Sequence, residues 1–327
     1  MSDCVPINDF VKYLTVTQGR SKATAEQYVF DLTLFFRYLI AKKHGLPTVG
    51  DEFDTLPIGE ADYDFIKEIK RPDIIDFLYF TATERVNTAR TRARKLTTLR
   101  SFYKYLAREK LVPENIAKDI DSPKIKQPLP KFLSLEESRT LLSAAKGENT
   151  PETCERDFAI LTLFLNCGLR LAELVGLNLS DFTPEMKSVR VLGKGNKERI
   201  VYLNDACRSA LDAYMRIRAA DTQVKPDSKD ALFLSSRHKR ISRKTVQWLV
   251  YRYLEEAGLE SKHLSTHKLR HTAATLMYQT GKVDIRVLKD ILGHEQLSTT
   301  QIYTHVSDKA MEQAVEDNPL NKLTIDK

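Results

Sequence analysis

Residues 265–281 read STHKLRHTAATLMYQTG. Ser265 or Thr266 can cap a helix that runs on through TAATLMYQTG. His267 and Arg270 then stand three apart in its first turn, beside backbone N–H groups without helical partners and at the positive end of the helix dipole. That arrangement suits an anion, although a capped surface helix would carry the same pattern. Helical periodicity of this kind also dominates on both sides of the stretch. It yields to strand periodicity once, so the expected fold class is mainly α with a small antiparallel β-sheet.

The interruption lies upstream, where SVRVLG and ERIVYL flank the turn GKGN. Val189, Val191, Ile200 and Tyr202 alternate as strand residues do, and the glycines permit a hairpin. Lys194 sits in that turn, where it could reach out and donate a proton to an oxygen; Lys197 is the nearby alternative, and a solvated turn lysine the plain reading. Further upstream an apolar helix, DFAILTLFLNCG, runs into Gly168-Leu-Arg170-Leu-Ala-Glu173. Arg170 and Glu173 can share one side of a helical turn, and a carboxylate beside an arginine can hold its planar fork for a phosphate. An ordinary surface ion pair has the same spacing. Downstream, Gly293 suits a helix C-cap and delivers His294 into a loop. Tyr303 follows among Ser298, Thr299, Thr300, Gln301, Thr304 and His305, a poor composition for a core tyrosine.

Bulk composition frames these signals. The chain has 327 residues, 42% hydrophobic and 29% charged, with a net charge of +7. That length fits two domains, and the basic balance favours a polyanionic partner. Four scattered cysteines argue against a disulfide framework or zinc site and for a reducing, cytoplasmic compartment. No signal peptide or membrane span is expected. The N-terminal half reads as helices, the first starting near Thr24 as its cap. The acidic stretch 50–64, with six acids and no base, reads as a surface loop. Over residues 86–108 one helix places Ala93, Leu96, Leu99, Tyr103 and Leu106 on an apolar face. Arg90, Arg94, Thr97, Ser101, Lys104 and Arg108 lie opposite. From Arg85 to Lys110 nine Lys/Arg meet only Glu109. A basic stripe without alternating acids suits a phosphate backbone, although a solvated face is the usual fate of charges. The segment DSPKIKQPLPK then reads as a linker. Ser134 and Glu137 have capping-box spacing for the next helix. The domains expected are a helical DNA-binding domain over 1–120, a linker over 121–132 and a catalytic domain over 133–327. Arg243 and Lys244, at the end of RHKRISRK, are expected to add DNA contacts. In the tail, Met311, Ala314 and Val315 form a narrow apolar stripe on a short helix.

The ordered set Arg…Lys…His-x-x-Arg…His…Tyr suits attack by a tyrosine on a phosphodiester. With it the chain resembles the tyrosine recombinases, most nearly the bacterial Xer-type subgroup. The stretches NCGLRLAELVGLNLSD, VLGKGNKERIVYL, THKLRHTAATLMYQTG and LKDILGHEQLSTTQIYTHV carry the resemblance across nearly all of 133–306. Thr266 departs from the family, in which proline is common at that place. The acidic segment makes the chain longer than a minimal Xer protein.

The resemblance implies a two-domain, C-shaped DNA clamp that cleaves and rejoins strands through a 3′-phosphotyrosine. Tyr303 would be the nucleophile, with Arg170, Arg270 and His294 on the non-bridging oxygens. Lys194 would protonate the leaving 5′-oxygen, His267 would assist proton transfer, and Glu173 would orient Arg170. No metal or other cofactor is implied. The implied partner is double-stranded DNA with inverted-repeat core sites, bound by a homotetramer joined through the C-terminal tail, with room for an accessory protein. An integrase or invertase of a simple mobile element is the alternative. A type IB topoisomerase-like relaxer shares the nucleophile, and a non-enzymatic DNA-binding regulator would have no use for Tyr303. An extra arm-binding module finds no room if the first helix begins near residue 24.

Overall fold

The computed structural model describes residues 3–125, 131–147, 150–193, 197–281 and 283–293. The expectations for Lys194, His294, Tyr303 and the tail helix fall outside the described residues. The chain divides into two compact units, Met1–Pro128 and Leu129–Lys327. It is mainly helical, with one two-stranded antiparallel sheet among the described residues.

In the first unit, α1 (Val5–Lys12) precedes a π-helical turn and α2 (Lys22–His44). The first helix thus begins well before residue 24, where the periodicity places it. Ser21, not Thr24, caps α2, its side chain accepting the Thr24 N–H at 3.3 Å. A serine just outside the helix has the extended backbone that a cap requires; a threonine inside it does not. Leu32, Phe35 and Leu39 are buried as their spacing predicts. The acidic stretch is more than a loop. It forms α3 (Asp51–Thr55) and the start of α4 (Tyr63–Glu68), and it buries Phe53, Ile58 and Ala61 in the core. Its acids have local work: Asp62 caps α4, Asp54 meets Arg85, and Glu60 meets Lys43 and His44. Next come α5 (Arg71–Thr83), with Pro72 in its first turn, and α6 (Ala89–Arg108), capped by Thr88. Leu96, Leu99, Tyr103 and Leu106 of α6 are buried, and Phe102 meets Phe10 and Phe36 edge-on.

The second unit opens with α7 (Leu135–Ala144). The Ser134 side chain accepts the Glu137 N–H at 3.2 Å, and Glu137 accepts the Ser134 N–H at 2.8 Å. The apolar helix α8 (Pro151–Cys167) is its spine. Ala159, Ile160, Leu161, Leu163 and Phe164 are buried between α10 (Asp205–Ala220) and α12 (Thr266–Gln279). Each such large side chain contributes about 1.5–3 kcal/mol by leaving water. The other elements are α9 (Leu171–Gly176), α11 (Arg243–Glu256) and α13 (Ile285–Leu292). Strands β1 (Ser188–Leu192) and β2 (Glu198–Tyr202) pair with Val189 opposite Val201 and Val191 opposite Arg199. Here the expected alternation is off by one residue on β2. Val201 is buried, while Ile200 and Tyr202 are 52% and 81% exposed. The side-chain period of a strand is two, so this choice also turns Arg199 inward.

Candidate active site

Helix α8 ends at Gly168, whose φ of 59° is left-handed. A Cβ there would come within 2.9 Å of Leu292 Cδ2, so both conformation and space call for glycine. The turn sets Arg170 at the N-cap of α9. Glu173 Oε2 accepts the Arg170 backbone N–H at 2.8 Å, and Glu173 Oε1 accepts Arg170 Nη1 at 2.7 Å. The Glu173 side chain is 2% exposed, which removes the surface-pair reading.

Two more guanidiniums reach the same carboxylate. Arg199 Nη1 donates to Oε1 at 2.6 Å and its Nη2 to Oε2 at 2.9 Å, a bidentate fork. Arg270 Nη1 lies 3.9 Å from Oε2 and donates to Gly168 O at 2.7 Å. Each arginine also grips the end of α13. Arg199 Nε donates to Ile291 O at 3.2 Å, Arg270 Nη2 to Leu292 O, and Arg170 Nη2 to Gly293 O at 2.8 Å. Three consecutive carbonyls at the negative end of a helix thus receive three cations. Three guanidiniums against one carboxylate leave two net positive charges. Arg170 keeps a third of its side chain exposed, whereas Arg270 is buried.

Sequence reading brought Arg170, Glu173 and Arg270 forward and missed Arg199. The signal was present, since an arginine two residues from a buried valine in a strand shares its face. Choosing the Ile200–Tyr202 face concealed it. Arg270 reaches from α12 to the ends of α8 and α13. Ser265 holds the N-cap position of α12 but makes no side-chain cap hydrogen bond; its carbonyl accepts the Lys268 and Leu269 N–H groups.

Burial alone would push the Glu173 carboxyl up. The Arg199 fork, the Arg170 N–H and the remaining positive charge outweigh it and hold the group below the usual carboxylate range. His267 lies at the surface end of α12, its ring 5.5 Å from that of His271 and nearly perpendicular to it. Partial burial first, then the charges of Arg270, Lys268 and Arg170, push His267 below its ordinary value. His271 is pushed down to about 4, by burial first and then by His267, Lys268 and Arg270. Both imidazoles are therefore neutral at pH 7. Among the described residues no group of His, Cys, Asp and Glu could hold a metal ion.

The basic stripe of α6 divides. Arg90, Lys104 and Arg108 are exposed, the last stacking over Tyr13 and donating to its hydroxyl at 3.0 Å. Arg94 instead pairs with Asp31 of α2. Arg243 and Lys244 are exposed in the first turn of α11, behind the Ser242 cap. No described helix is long and apolar enough to cross a membrane.

Comparison with known proteins gives the family. Residues 131–310 match the phage integrase family. Tyrosine recombinase XerC of Caldanaerobacter subterraneus subsp. tengcongensis is 47% identical over 317 residues, covering 97% of this chain and 87% of the relative. A crystal structure of XerH site-specific recombinase bound to a palindromic difH substrate, a post-cleavage complex, is similar in fold. It has a TM-score of 0.69 and 23% identity over 96% of this chain and 95% of that one. A lambda integrase tetramer bound to a Holliday junction has a TM-score of 0.61 and 18% identity over 89% and 76%. With a family match across more than half its length and a XerC relative along nearly all of it, the chain belongs to the phage integrase family of tyrosine recombinases, enzymes that cleave and rejoin DNA.

Proposed function

We propose that this chain is a site-specific recombinase of Xer type in which Arg170, Arg270 and His294 bind the scissile phosphate and Tyr303 attacks it. The observation that carries this reading is the guanidinium cluster on Glu173, docked at the end of the helix that leads into His294. A phosphodiester carries one negative charge and gains more on its non-bridging oxygens as the nucleophile approaches. Prepositioned donors are worth about 3–4 kcal/mol of barrier each. The Tyr303 oxygen bonds to phosphorus as the bond to the 5′-oxygen breaks. Lys194 gives that oxygen its proton, leaving a 3′-phosphotyrosine and a free 5′-hydroxyl. A free phenol titrates near pH 10, about three units above neutrality, so nearby cations must favour the phenolate. His267, neutral at pH 7, can accept a proton there. The ester conserves the energy of the phosphodiester, so rejoining is the same step reversed and needs no ATP.

Strand exchange between two duplexes requires four such sites. The reading therefore includes a homotetramer on inverted-repeat core sites, with both domains, joined by a linker over 121–132, contributing to DNA binding. The tail couples protomers, and Arg90, Lys104, Arg108, Arg243 and Lys244 hold the backbone, with Arg94 available only to the extent that its pair with Asp31 opens. A cytoplasmic location and room for an accessory protein belong to the same reading. The test is a nicked target duplex that traps the covalent intermediate. Tyr303→Phe binds it but yields no adduct on a denaturing gel; adduct at the normal level from this variant would defeat the assignment.

A further inference from the structure

We propose that Arg199 is a positioning residue for the cleavage reaction, offsetting the charge of Glu173 so that Arg170 is held in place without being neutralised. The inference rests on the reading above, in which Arg170 binds the scissile phosphate.

A buried carboxylate is a good bracket for an arginine, but it cancels the charge that a phosphate needs. Arg199 resolves the conflict. It comes from β2, far in sequence from both Arg170 and Arg270, and it takes both Glu173 oxygens through a planar fork. Its side chain is 14% exposed, so it faces the bracket rather than the solvent-accessible side where Arg170 stands. Its Nε holds Ile291 O, and Gly293 lies against it: a Cβ at Gly293 would sit 3.0 Å from Arg199 Cδ and 3.2 Å from its Nε. One side chain thereby fixes both the bracket of Arg170 and the residue before His294. Lysine has a single nitrogen and cannot satisfy two carboxylate oxygens and a carbonyl in this geometry.

The groups facing Glu173 are Arg170 and Arg199 through direct hydrogen bonds, and Arg270 across 3.9 Å. Asp181, Arg190 and Glu198 line the cleft on its other side. With Arg199 gone, burial raises the Glu173 carboxyl against weaker opposition. Glu173 then gains a proton on acidification and releases its grip on Arg170.

The experiment follows adduct formation on the nicked duplex across pH for wild type, Arg199→Lys, Arg199→Met, Glu173→Gln and the double variant Glu173→Gln/Arg199→Met. Thermal melting confirms that each is folded. Arg199→Met is expected to react about 10²-fold slower at saturating DNA, in line with loss of one preorganised interaction, with unchanged half-saturation. Its acid limb moves to higher pH. Arg199→Lys recovers only part of the rate. In the double variant the shift of the acid limb disappears, and the rate is no lower than for Arg199→Met alone. Wild-type rate and pH profile in Arg199→Lys would overturn the proposal. So would a loss that is uniform across pH and additive with Glu173→Gln, since that describes a packing residue. Arg199→Lys keeps the charge and most of the buried stem, so it decides the matter should Arg199→Met not fold. Adduct from Tyr303→Phe would break the nucleophile assignment alone, because the Arg199 variants are scored against their own parent.

Discussion

Asp31 in the first unit and Glu173 in the second are both carboxylates buried among basic side chains, and the two clusters differ in a way that separates scaffolding from chemistry. In the first unit, Asp31 is 2% exposed and accepts from Arg94, from Lys95 at 3.0 Å and from the Thr98 hydroxyl at 2.8 Å. All three donors come from α6, and Lys95 is as buried as its partner. The cluster staples α6 to α2. In the second unit, Glu173 gathers arginines from α9, β2 and α12, and these also hold the end of α13. Arg170, like Arg94, remains partly open to solvent. The Asp31 cluster joins two helices with two cations, whereas the Glu173 cluster gathers three cations from three elements and ties them to the end of a fourth.

The strongest attack on that contrast neutralises each acid in turn. Removing one partner from a buried ion cluster typically costs about 3–5 kcal/mol. Glu173→Gln and Asp31→Asn should both lower the unfolding free energy by that order, measured in denaturant. Only Glu173→Gln should also lower the rate of adduct formation at saturating DNA. An equal loss of rate in Asp31→Asn would collapse the distinction.

Acid unfolding sharpens it further. His271 is buried close to Arg270, and its folded-state value of about 4 lies below the ordinary 6.5. Between those values the unfolded chain binds more protons than the folded one. Stability is therefore full above pH 6.5 and falls as pH drops toward 4, by about 3 kcal/mol in total. The loss should appear in the second unit and be reduced by His271→Asn. An unchanged pH dependence of melting in that variant would count against it.

The smallest effect is on salt. If cations held by a carboxylate are spent, Arg90→Ala and Lys104→Ala should each reduce the slope of log K against log salt by about one, as expected for a lost phosphate contact. Arg94→Ala should change it less, because Arg94 already faces Asp31. Equal slopes for the three variants, by titration at several salt concentrations, would show that the Asp31 pair opens on DNA.

Much of this molecule is local, and local features were legible. The Ser134–Glu137 capping box, the glycine that ends α8, the hairpin and the Arg170–Glu173 spacing need only neighbours within a turn or two, so residue order alone predicts them. The apolar face of α6 was equally plain. What residue order left open were choices between equals. Alternation in β2 offers two faces of similar polarity, and only packing on the rest of the unit selected Val201 and Arg199 for the inside. The basic run in α6 lacks acids nearby, yet Asp31, 63 residues away from Arg94, supplies one. The acidic stretch looked like solvent until Phe53 and Ile58 entered the core. Sequence alone determined which elements form and which chemical groups they carry, because hydrogen bonds within a turn are short-range. Which cation meets which carboxylate was decided by the tertiary structure, because a buried charge is tolerable only where the fold brings it a partner.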